Sequence, residues 1–118
     1  MTGHSESERS DGRSVVHALT EVGWVVEDTT GVRRAGELRK RRKIMLHPSE
    51  GDGIVIVETT REGRMKDHAT FAAPGVAVFA YTETALLTLA TTRPRTEAEA
   101  ARIPDTENID RRRRTAPQ

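Results

Sequence analysis

The sequence predicts a small single α+β domain, an antiparallel sheet of four or five strands with an N-terminal helix and a C-terminal helix. Three observations carry that expectation. Short β-branched runs alternate with turn residues between positions 24 and 82, which is the pattern of successive hairpins. Two stretches, 13–22 and 83–91, place apolar residues at helical spacing. Helix, strands and helix then follow one another in an order that packs helices on one face of an antiparallel sheet. A small five-stranded barrel is the alternative, because tight turns separate most of the strands.

The elements follow in chain order. "RSVVHALTEV" reads as an amphipathic helix with Ser14 as its N-cap, with Val15, Leu19 and Val22 on one face and Gly23 as the stop. "WVVEDTT" is β-branched and short, and reads as a strand ended by Gly31. Residues 38–46 form the next strand, running from a basic half into Ile44, Met45 and Leu46 before His47-Pro48. Gly36 speaks against one continuous helix over 32–43, since glycine costs about 1 kcal/mol relative to alanine inside a helix. "HPSEGDG" is loop chemistry, and "GIVIVETT" after it is the strongest strand in the chain, paired with its predecessor as a hairpin.

A further strand over 64–71 puts Met65, Asp67, Ala69 and Phe71 on one side, a face that Asp67 spoils. Pro74-Gly75 makes a turn into the strand "VAVFAYT". In "ETALLTLATT" the threonines suit a strand, but Ala85, Leu86, Leu89 and Ala90 form a helical stripe and the segment is rich in leucine and alanine. Helix is the reading, closed by Pro94, and "TEAEAARI" is a second short helix capped by Thr96.

Both ends lack the apolar residues to offset the entropy of ordering them, so residues 1–12 and 104–118 are expected to be disordered tails around a domain at 13–103. The 118 residues leave room for one core, and it must be lean: 35% of the chain is apolar and only Trp24, Phe71, Phe79 and Tyr81 are aromatic. A core this lean also leaves room for completion by a homodimer. The chain has no cysteine, which removes disulfides, thiolate nucleophiles and cysteine zinc sites. No apolar run has the length of a membrane span, so a cytoplasmic protein without a membrane partner is expected.

The formal net charge is only +1, yet the charges are clustered. Arg33, Arg34, Arg39, Lys40, Arg41, Arg42 and Lys43 crowd one segment against the single acid Glu37, and Arg111–Arg114 follow later. Local sign steers a polyanion more than net charge does. Five consecutive basic positions cannot be buried as strand or as helix, so 39–43 must be exposed. These seven residues are the candidate nucleic-acid-binding set, through phosphate contacts of low sequence specificity. The resulting expectation is a non-enzymatic nucleic-acid-binding or regulatory module without cofactor or metal. A protein-interaction module docking an acidic partner surface is the alternative. A small ribonuclease is the third reading, with His47, His68, Glu58, Arg61 and Arg64 as the groups that hairpins could bring together. Base stacking has only Tyr81 and Trp24 as candidates, the other aromatics being expected in the core.

Overall fold

The computed structural model describes residues 14–31 and 42–110. The elements run α1 (Val15–Glu21), β1 (Trp24–Gly31), β2 (Arg42–Pro48), β3 (Ile54–Thr59), β4 (Met65–Ala73), β5 (Val76–Ala80), α2 (Glu83–Thr92), α3 (Glu97–Ala101) and β6 (Thr106–Asn108). The strands form one six-stranded sheet in the order β1-β2-β3-β4-β5-β6, and every neighbouring pair is antiparallel.

The sheet is open. β1 and β6 are its two edges and do not pair with each other, so the five-stranded barrel does not form. The reason lies in the core. Period-two alternation sends Ile44 and Leu46, Val55 and Val57, Ala69 and Phe71, and Val76, Val78 and Ala80 to one face, where all are buried. Val15 and Leu19 of α1, the stripe Ala85, Leu86, Leu89 and Ala90 of α2, and Ala100 of α3 join the same cluster. The core therefore lies between sheet and helices rather than inside a cylinder.

Local chemistry places each helix. Ser14, Thr82 and Thr96 each accept a hydrogen bond from the backbone N–H three residues on, at His17, Ala85 and Glu99. Gly23 ends α1 with a φ of +101°, and Val22 beside it is exposed rather than part of the apolar stripe. The start of α1 is fixed to the β3–β4 turn, since the Val15 N–H donates to the Gly63 carbonyl at 2.9 Å. Gly63 has a φ of +87°, and a Cβ there would collide with the Ser14 side chain.

Trp24 anchors the opposite end of the sheet. It is 2% exposed, packs against Phe71 with ring centroids 6.1 Å apart, and donates its indole N–H to the Ala90 carbonyl at 3.0 Å. The N–H four residues beyond Ala90 would belong to Pro94, which has none, so the indole supplies the partner that the helix cannot.

Two departures from the sequence reading have identifiable causes. Asp67 does not spoil the buried face, because the register between β3 and β4 shifts from Val57↔Ala69 to Thr59↔Met65. That irregularity holds Asp67 at a φ of 54° and leaves it exposed. The strand count exceeds the expected four or five because Thr106–Asn108, inside the segment read as the C-terminal tail, pairs with β5. β6 carries no large apolar residue and is held by polar contacts: the Tyr81 N–H donates to the Asp105 carbonyl at 2.8 Å, and the Thr106 hydroxyl to the Ile103 carbonyl at 2.8 Å. Residues 1–12 and 111–118 of the predicted tails lie outside the described residues.

Candidate nucleic-acid interface

The predicted basic set divides at the β1–β2 hairpin. Gly31 pairs with Arg42, and Thr30 with Lys43, at the end of the hairpin remote from Trp24. Arg33, Arg34, Arg39, Lys40 and Arg41 belong to the connection between those paired positions and lie outside the described residues. Arg42 is the first residue of β2, and Lys43 is exposed. The hairpin sits at a sheet edge, since β1 has no second neighbour among the described residues. The positive charge is not unopposed, because Glu58 of β3 stands directly across from Lys43.

The face of the sheet away from the helices has its own composition. The register aligns Met45, Ile56, Thr70, Phe79 and Glu107 in one row across β2 to β6. Ile54, Ala72 and Ala77 align in the next row. Every one of these side chains keeps part of its surface in solvent, unlike the fully buried residues that alternate with them. Among the described residues no helix covers this face.

One corner of that face is aromatic. His68, at the irregular part of β4, meets Phe79 of β5 edge-on with ring centroids 4.8 Å apart and an interplanar angle of 76°. Tyr81 lies 6.0 Å from the His68 ring and 6.4 Å from Phe79. The Tyr81 hydroxyl donates to Glu107 Oε1 at 2.6 Å. His68 and Tyr81 are exposed, and Phe79 is half-buried. Of the two stacking candidates in the sequence, Tyr81 is thus at the surface and Trp24 is in the core. Phe79 comes to this face because Val76, Val78 and Ala80 turn inward, so the residue between the last two must turn outward. The alternation in "VAVFA" carries that signal.

Of the groups named for a ribonuclease, the two histidines are not brought together. His47 pairs opposite Val25 near the Trp24 end of the sheet, with its ring Nδ1 3.0 Å from the Pro48 carbonyl. His68 lies past Ala69 towards the other end, two strands away. Arg64 forms an ion pair with Glu83 at 2.9 Å, and the second Glu83 oxygen accepts the Met65 N–H at 2.8 Å, so this pair docks α2 onto β4. Among the described residues no three histidines or acids are grouped to hold a metal ion.

A cleft of about 640 Å³ opens at the Trp24 end, between the β2–β3 loop, the β4–β5 turn and the α2–α3 link. Trp24 and Phe71 floor it, and Glu50, Asp52, Arg93 and Arg95 rim it. Arg93 adopts a left-handed φ of 49° as the C-cap of α2, donates to the Glu50 carbonyl, and holds its guanidinium carbon 6.0 Å from the Trp24 ring. Acids and arginines alternate around this rim, which clamps a loop to a helix end and gives no uniform charge for an anion or a cation.

Comparisons with protein-family models, with curated proteins and with solved structures find no match to this chain. No helix among the described residues is long and apolar enough to cross a membrane.

Proposed function

We propose that this protein is a small non-enzymatic nucleic-acid-binding module. Its phosphate contacts come from the segment of Arg33, Arg34, Arg39, Lys40, Arg41, Arg42 and Lys43. The observation that carries the reading is the Gly31↔Arg42 pairing at a sheet edge. It brackets the segment that carries most of the basic residues, and the one described member with a known exposure, Lys43, faces solvent, which supports the reading. Each phosphate neutralised releases condensed counterions, so binding should weaken steeply with salt.

The test is fluorescence anisotropy with labelled DNA and RNA over a salt series. The combined change Arg39→Glu, Arg41→Glu and Arg42→Glu should abolish binding at moderate salt. It should also flatten the log–log salt slope by about 0.7–0.9 for each phosphate that is no longer neutralised. Unchanged affinity in that variant ends the proposal.

A protein-docking role is the second reading, and one observation favours it. Val25 and Val26 are 43% and 39% exposed on β1, which among the described residues has a strand on one side only, a surface suited to strand addition by a partner. Absence of nucleic-acid binding at low salt, together with one stoichiometric protein partner, would favour this role over the first.

A further inference from the structure

We propose that two copies of this chain pair face to face through the side of the sheet that the helices leave uncovered, with β3 and β4 of one copy lying over β4 and β3 of the other. The proposal goes beyond the phosphate contacts and does not depend on them.

That face is apolar where water favours polar residues. An antiparallel sheet packed on one side alternates apolar inward with polar outward. Here the outward positions of β2 to β5 hold Met45, Ile54, Ile56, Ala72, Ala77 and Phe79, each with part of its surface in solvent. A contiguous apolar patch of this kind marks an interaction surface.

Size and charge make the face complementary to itself. β3 presents the large Ile54 and Ile56, and β4 presents the small Ala72 and Thr70 in register with them. Consider a two-fold axis between the two faces, parallel to the strands and level with the gap between β3 and β4. It sets Ile54 over Ala72 and Ile56 over Thr70, large against small at both, and Met45 over Phe79. The charged and hydrogen-bonding groups gather at one end of the face, where Glu58 stands across from Lys43 and the His68 ring lies 6.0 Å from Tyr81. The same axis keeps that end over itself. Glu58 then faces His68, and Lys43 faces the Tyr81 ring, whose hydroxyl donates to Glu107. An axis across the strands would instead press Glu58 onto Ile54 and His68 onto Ala72, burying polar groups against apolar ones. Glu58 and Glu107 also repel a polyanion from this face. The occupant that matches in both shape and charge is a second copy.

The area fits a reversible contact. Outward side chains recur about 7 Å apart along a strand and strands lie about 4.8 Å apart, so three rows over five strands project to roughly 500 Å². Two such faces bury about 1,000 Å², the lower limit of a specific interface.

The test is sedimentation equilibrium of the full chain over a concentration series, joined to cysteine cross-linking. The parent should show a monomer–dimer equilibrium. Ile56→Glu should weaken it about 100-fold or more, because it places an unpaired charge at the centre of the contact. The absence of native cysteine allows an independent readout. Met45 and Phe79 lie three strands apart, about 14 Å, too far for a disulfide within one chain. The oxidised double variant Met45→Cys, Phe79→Cys should therefore run as a covalent dimer on a non-reducing gel, and Met45→Cys alone as a monomer. The gel decides if circular dichroism shows Ile56→Glu to be unfolded. A covalent dimer from Met45→Cys alone overturns this arrangement, since it reports the axis across the strands. A parent that stays monomeric at every concentration overturns the proposal, whatever else the face then binds. So does a dimer that Ile56→Glu leaves intact, and its loss in Val26→Lys would place the contact at the β1 edge.

Discussion

The indole N–H of Trp24 donates to the carbonyl of Ala90 at 3.0 Å, joining the first residue of the sheet to the last turn of α2 across 66 residues of chain. Pro94 leaves that carbonyl without a partner from its own helix, so the side chain completes the helix end. Trp24→Phe is expected to cost about 1–3 kcal/mol, chiefly from the buried acceptor left unsatisfied. Trp24→Ala adds a cavity beside Phe71 and should cost about 3–5 kcal/mol. Urea unfolding followed by far-ultraviolet circular dichroism measures both, and equal stability of Trp24→Phe and parent would remove this hydrogen bond from the account.

Glu83 receives Arg64 on one oxygen and the Met65 N–H on the other. Glu83→Gln keeps an acceptor for the backbone and weakens the ion pair, whereas Glu83→Ala removes both. The order of stability should be parent, then Gln, then Ala, with the last about 1–3 kcal/mol below the parent. The ion pair itself contributes little of this, since the Arg64 side chain is 47% exposed. A salt series would show it: the deficit of the Ala variant should persist at high salt.

Gly63→Ala combines a left-handed backbone with a collision against Ser14. The conformation alone disfavours alanine by about 1–2 kcal/mol, and relieving the collision must shift the α1 cap. We expect a loss larger than that of Ser14→Ala, which removes only the capping oxygen at about 1 kcal/mol. Thermal melts of the two variants side by side decide it, and a Gly63→Ala protein as stable as the parent would show that the turn has room to move.

Removing residues 104–118 takes away β6 and with it the backbone partners of Val78, Phe79 and Ala80. The newly bared β5 edge should lower solubility and promote strand-to-strand association. Light scattering over time at matched concentration is the measurement. A truncated chain that stays monomeric and as stable as the parent would assign β6 no structural role.

Glu58 opposes Lys43 across β2 and β3. Under the proposed function, Glu58→Gln should tighten polyanion binding severalfold at low salt, with the difference fading as salt screens it. Weaker binding in this variant would argue that the carboxylate assists recognition.

Much of this architecture is legible in the sequence because the signals are local. Alternation in "IVIVET" fixes which side chains are buried, and Ser14, Thr82 and Thr96 mark three helix starts. β6 is not legible, since "TEN" has no apolar pattern and is a strand only because the β5 edge and the carbonyls of Ala100 and Ile103 are there to receive it. Asp67 misleads because a bulge leaves no simple trace in composition. The seven basic residues stand out in the sequence, but the aromatic corner does not. His68, Phe79 and Tyr81 are separated along the chain and meet only through the β4–β5 register.

Each strand of the sheet lies beside its predecessor in the chain. From β1 to β5 assembly can therefore proceed one hairpin at a time, while β6 joins β5 across α2 and α3. The Trp24–Ala90 link closes a longer loop, and its closure requires the strands between to be in place. It should form late, so weakening it is expected to accelerate unfolding far more than it slows refolding. A sheet gathered from neighbouring hairpins passes little time with its inner strands unpaired.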